Sequence, residues 1–330
     1  MTLPARARSL LRVMVVVAVI AVLLAFALHV DWRSAWAVAR RADPVLLLAA
    51  LLCNLLSQAL KGVRWWVFLR SIGVRSLGLV LRATFAGASL NNLVVAQGGE
   101  GARVLLVARG AGVSSAGVLA ALTVERVLDA LSYLALLVGA AWLLALPEPV
   151  ARWRTAASVT LAVATVVLLL AATQRRRSGV SAPSTLPAPG RVNAVGRYLR
   201  RFARGMVDVA TPSRLAVAML LSVGAWALQL ATYHLTARAA QLELPLAGSV
   251  VALLMVGVSF LVRATPGNVG VFQVIYALSV RPFGVLEGPA VAAALLIQLL
   301  QVVPTMMVAM LAAPGLASGQ VSRGDAEARR

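Results

Sequence analysis

The sequence predicts an all-α polytopic membrane protein made of two inverted-repeat-like halves, with about six full spans and two re-entrant hairpins over about eight apolar segments. Composition is the first reason: 61% of the 330 residues are hydrophobic, 13% are charged and the mean hydropathy is +0.88, more apolar sequence than a soluble core can hide. The placement of charge is the second. Arginines gather between the apolar runs, where they set topology and meet anionic headgroups. The third is a pair of glycine breaks inside apolar sequence, Gln97–Gly101 in the first half and Ala264–Gly270 in the second.

Several function classes fall away at once. A net charge of +20 would suggest nucleic acid in a soluble chain, but arginines at the ends of apolar runs argue against a nucleic-acid partner. Lys61 is the only lysine, so the excess of arginine does not by itself mark an arginine-specific site. The single Cys53 excludes an intramolecular disulfide or a cysteine metal cluster, and His29 and His234 lack zinc-ligand spacing. Neither a metal nor a cofactor is expected.

Residues 1–44 hold an N-terminal span and an amphipathic connector. Arg6, Arg8 and Arg12 precede the apolar run Val13–Leu28, which reads as an uncleaved span rather than a signal peptide because it approaches spanning length and many spans follow. Asp31–Asp43 is amphipathic, and Pro44 stands where a helix can begin. The first membrane half, residues 45–173, opens with a span over Val45–Leu60. Lys61-Gly62-Val63-Arg64-Trp65-Trp66 then reads as its interfacial close, cations beside paired indoles, on a side kept basic by Arg70, Arg75 and Arg82.

Ala83–Ala96 and Ala102–Gly110 flank the first break. At 1.5 Å per residue they are about 20 Å and 13 Å long, short of a bilayer core of about 30 Å. They form either a re-entrant hairpin or a third span with a glycine-rich loop. Ala116–Leu146 reads as a tilted span, Pro147-Glu148-Pro149 as a turn and Thr155–Thr173 as the next span. Residues 174–212 form a linker rich in arginine, cytoplasmic by the positive-inside rule, and parity puts it there only if the first pair turns back. Its front, Ser178–Gly190, is a flexible Ser/Pro/Ala stretch, and Arg191–Arg204 suits a basic helix lying on the membrane.

The second half, residues 213–313, repeats the plan. Ser213–Thr236 spans, Leu244–Val262 leads to Arg263 and the second break, Val271–Val280 returns, and Pro289–Leu311 spans with Gln298 and Gln301 inside it. Residues 314–330 read as a disordered tail. Gly98, Gly99 and Gly101 correspond to Gly267 and Gly270, Gly112 to Gly284, and Glu125–Asp129 loosely to Gln298–Gln301. Paired, interrupted apolar segments in two halves are a transporter plan with the site at the repeat interface. Both chain ends are expected on the cytoplasmic side of the cell's inner membrane.

Asn91, Asn92, Leu93, Gly99, Glu100 and Arg103, followed by Glu125 and Arg126, resemble the NNLLPxRxGExxR motif and the following ER helix of the flippase-like family of lysylphosphatidylglycerol synthase transmembrane regions. Pro266, Gly267 and Gly270 resemble its second motif, PxxPGGxGxxE. The likeness runs from about Val45 to Leu311. It implies membrane phospholipids, anionic or aminoacylated, as the partners. The chain departs at Val95, where the family has proline, at Gln97, where it often has arginine, and at Gln273 and Gln298, where glutamate and arginine are usual. Family fusions carry a large aminoacyl-transferring domain; nothing after Leu311 is long enough for one, so this chain alone is not expected to make lysyl-lipid.

The candidate headgroup path is Asn91, Asn92, Glu100, Arg103, Glu125, Arg126 and Asp129, with Arg263, Asn268, Gln273 and Gln298 as its weaker counterpart. Gly98, Gly99, Gly101, Pro266, Gly267 and Gly270 make the breaks. Ionisable groups at membrane depth are costly and so mark function. Glu125, Arg126 and Asp129 share one helical stripe, which is read either as a structural ion pair or as a carboxylate left free for a headgroup or proton. Glu100 would cap a short helix starting near Gly101, with Arg103 open to a phosphate or serving the turn alone. Three functions follow: a flippase or transporter for a polar-headgroup lipid, a membrane enzyme or enzyme subunit using Glu125 or Glu100 as a base, and a scaffold holding a partner enzyme through the basic linker. No nucleophile–base constellation supports the enzyme.

Overall fold

The computed structural model describes residues 32–93, 98–143, 154–177, 211–262 and 268–327. Val13–Leu28, the Pro147–Pro149 turn, the linker over 178–210, Arg263, Pro266 and Gly267 lie outside them, as does the Asn92 side chain. Every regular element among the described residues is a helix. In order these are α1 (Trp32–Arg41), α2 (Pro44–Leu69), α3 (Leu77–Leu93), α4 (Gly98–Ala111), α5 (Ser115–Leu143), α6 (Arg154–Arg177), α7 (Pro212–Ala239), α8 (Leu246–Val262), α9 (Val271–Val280) and α10 (Glu287–Glu327). Single 3₁₀ turns follow α2 and α9. Among the described residues four stretches are long and apolar enough to cross a membrane: Pro44–Ile72, Ser115–Leu143, Pro212–Ala239 and Glu287–Leu311.

Helix α2 starts where Pro44 predicts, because proline fits the first helical position and Asp43 supplies the cap. The Val45 and Leu46 N–H groups donate to Asp43 Oδ1 at 2.8 and 3.3 Å. It does not end at Leu60 but runs nine residues further, to Leu69. Nothing between Lys61 and Trp66 breaks a helix, and Arg64 and Trp65 are buried rather than interfacial. The helix is inside-out in the manner of membrane spans: Leu48, Leu52 and Leu56 are exposed while Asn54, Ser57 and Arg64 are buried. Helix α10 likewise continues through the stretch whose composition reads as a tail.

The chain falls into two compact units. One comprises Leu52–Asn91, Gln97–Gln229 and Val302–Arg330. Its core gathers Trp65, Phe68, Leu69, Val80, Val107, Val118, Leu122 and Leu128. Within it α3 and α4 run antiparallel. A Cβ on Gly110 would lie 2.8 Å from Leu79, and at the other end one on Gly99 would strike the Gly87 carbonyl and Asn91. The hairpin's two ends therefore come together. The turns on either side agree, since Gly73 faces Val113 and Gly117 faces Ile72 at van der Waals distance. Helices α2 and α7 are also antiparallel here, with Arg64 against Ser222 and Ser57 against Gln229.

The other unit comprises Met1–Leu51, Asn92–Ala96 and Leu230–Gln301. Helices α8 and α9 form its antiparallel pair. The Gly248 position meets Phe283 near one end, and Asn268 bonds Ser259 near the other. Tyr233 packs at ring distance from Phe272 and Tyr276. Gly112 and Gly284, matched by position in the sequence, both adopt positive φ, 67° and 82°. Those are the left-handed turns that stop a helix and let the chain start the next.

Candidate functional site

The first break is built around an unusually close helix approach. Gly87 on α3 and Gly99 on α4 face one another so tightly that a Cβ on Gly87 would lie 2.8 Å from the Gly99 carbonyl and collide with the Arg103 stem. Glycine is required there by contact, and the room it leaves lets Arg103 cross α3 into the interior. Gly98 and Gly101 have open space around them and no such role. Helix α4 begins at Gly98, three residues before the predicted start. The cap is therefore not Glu100: the Gly99 N–H donates to Asn91 Oδ1 at 3.0 Å, and Asn91 Nδ2 reaches Glu100 at 3.4 Å. Glu100 lies within the first turn, where its charge still suits the helix dipole.

Three arginines and three carboxylates meet behind this cap. Glu125 is at the centre, its side chain 2% exposed, with Oε1 accepting from Arg64 at 2.9 Å and Oε2 from Arg103 at 3.3 Å. Arg64 also donates to Asp129 at 2.7 Å and to the Ser222 hydroxyl at 2.8 Å. Arg103 returns to Glu100 at 3.3 Å, and its guanidinium lies over the Trp65 ring, 4.1 Å from the centroid. Arg126, half-exposed, closes the circuit to Glu100 and, at 3.5 Å, to Asp129. The network thus ties α2, α4 and α5 together, with α7 contributing Ser222.

The predicted Glu100, Arg103, Glu125, Arg126 and Asp129 are all brought together, and Asn91 borders them. The predicted pairing of Arg126 with Asp129 is present, but the larger partner of both acids is Arg64, which sequence reasoning assigned to the interface. A signal existed. Asn54, Ser57, Lys61 and Arg64 recur every three or four residues along α2, the spacing of one helix face, and Ser222, Trp226 and Gln229 do the same on α7.

Among its described residues the second break is polar without being charged. Asn268, buried and in the left-handed region at φ 58°, donates to Ser259 Oγ at 2.9 Å. Gly270 takes φ 83°, which a side chain would resist, and its N–H donates to Gln273 Oε1 at 2.7 Å. Gln273 Nε2 in turn donates to Gln298 Oε1 at 2.5 Å, joining α9 to α10. These side chains are held by neutral hydrogen bonds.

A search among curated proteins gives no match to this chain. Residues 12–309 match the family model described as the lysylphosphatidylglycerol synthase TM region, which makes this a membrane protein related to lipid modification or transport. The broken hairpins, the buried charges and that match over most of the chain agree: it belongs to the lysylphosphatidylglycerol synthase TM region family.

Proposed function

We propose that the chain moves a polar-headgroup lipid across the cytoplasmic membrane, with the headgroup passing along the charged network while the acyl chains stay in the bilayer. The observation that carries this reading is the burial of Glu125, on a helix long and apolar enough to span, between Arg64 and Arg103. Stripping water from a charged headgroup costs several kcal/mol unless other charges replace the hydration. A circuit of three guanidinium groups and three carboxylates can do so by partner exchange. Arg126, half-exposed and shared between Glu100 and Asp129, is the member best placed to release a carboxylate for a phosphate. The positive-inside rule puts the basic linker and both termini in the cytoplasm.

Catalysis by Glu125 fits less well. Both of its oxygens accept from arginine and its side chain is 2% exposed, so a substrate would have to displace those partners to reach it. The test is dithionite quenching in vesicles containing the purified protein, with headgroup-labelled phosphatidylglycerol and phosphatidylethanolamine. Faster loss of inner-leaflet signal than in protein-free vesicles, slowed by Arg126→Gln, is expected. Rates equal to protein-free vesicles for both lipids would sink the reading.

A further inference from the structure

Beyond the circuit, α2 and α7 carry a polar seam that points to a specific ligand chemistry. Ser57 Oγ donates to the Ala225 carbonyl at 2.8 Å and lies 3.5 Å from Gln229 Oε1, and one turn further along α2 the Lys61 ammonium sits over the Trp226 ring, 6.0 Å from its centroid. Arg64 and Ser222 complete the seam where it joins the charged network. Lys61 lies in the field of Glu125, Asp129, Arg64 and Arg126. Among the described residues these charges do not balance. Arg64, Arg103, Arg126 and Lys61 face Glu100, Glu125 and Asp129, and the ion pairs use up all three carboxylates without reaching Lys61.

Arg64 Nε, Arg103 Nε and the indole N–H groups of Trp65 and Trp226 are buried donors with no acceptor among the described residues. Arg64 and Trp65 are almost completely enclosed. The Trp226 N–H belongs to the ring that Lys61 covers, and an unmatched positive charge beside an unmatched donor is complementary to an acceptor-rich anion.

We infer that Lys61 and Trp226 form the anion-binding step of the seam and take the phosphate group of a phosphodiester. This rests on the lipid-handling reading and adds the group that is recognised and the residues that recognise it. Lys61 supplies the charge, the Trp226 N–H a directional donor, and the seam from Arg64 to Gln229 the polar wall beside which a headgroup can lie.

The experiment is native mass spectrometry of the full chain in detergent with phosphatidylglycerol or with diacylglycerol, which has similar chains and no phosphate, run beside the translocation assay. Wild type should retain phosphatidylglycerol over diacylglycerol. Lys61→Gln should weaken phosphatidylglycerol retention by about tenfold and leave diacylglycerol unchanged, while Lys61→Arg keeps most of it. Displacement of the lipid by millimolar inorganic phosphate would assign the site to the phosphate group alone, and failure to displace it would assign it to the lipid-borne ester. A folded Lys61→Gln protein that retains phosphatidylglycerol like wild type overturns the inference, whatever the translocation rate. Should Lys61→Gln not fold, Trp226→Phe decides, with unchanged retention again overturning it. Binding that depends on Lys61 in a protein that translocates nothing would sink the flippase reading and leave this anion site standing.

Discussion

Arg64 is the residue on which the charged network turns. It is 1% exposed and serves two carboxylates and a hydroxyl on two other helices. Its replacement by methionine would leave Glu125 with the longer Arg103 contact and Asp129 with half-exposed Arg126. Loss of one member of a buried ion pair costs about 3–5 kcal/mol, so Arg64→Met should show that loss in SDS or thermal unfolding of the purified protein. Gln298→Met tests the neutral counterpart. It removes the acceptor that Gln273 Nε2 uses at 2.5 Å and should cost about 1–3 kcal/mol, measured in the same way. An Arg64→Met protein as stable as wild type would show that Arg64 contributes no net stability to the fold. The charged residues around the first hairpin were legible in the sequence because an acid in apolar sequence must be paired, serve as a cap or be used. Arg64 was not, because a cation followed by two tryptophans looks the same in one dimension whether it faces headgroups or a buried carboxylate.

At the scale of elements, the break glycines separate into two kinds that sequence alone treats as one. Gly99 touches the Gly87 backbone, whereas Gly101 sits in open space inside α4. Gly99→Ala should therefore force α3 and α4 apart, costing about 1–3 kcal/mol as overpacking does. Gly101→Ala meets nothing and should stabilise by up to about 1 kcal/mol, because alanine is the better helix former. Thermal unfolding of the two variants side by side checks the contrast, and equal effects would mean that the close approach is not the reason for glycine at 99. The helices themselves were readable from apolar length and from turn residues such as Pro44 and Gly112. Their ends were not, since the α2 extension to Leu69 depends on partners from α4, α5 and α7 that no local window contains.

Across the whole molecule, the joined ends of α3 and α4 bear on how the chain threads the bilayer. A single crossing would separate the Arg75 turn from the Val113 turn by the hydrocarbon thickness, about 30 Å. Instead the neighbouring Gly73 position is 3.9 Å from Val113, and Gly117 is 3.5 Å from Ile72. Cysteines placed at Arg75 and at Val113, in a Cys53→Ser background, should accordingly react with an impermeant maleimide from the same face of sealed vesicles. Helices α8 and α9 predict the same for Glu243 and Val285, since Gly248 lies beside Phe283. If the halves are inverted, the second pair reacts from the face opposite to the first. Labelling of all four from one face would leave two hairpins but no inversion.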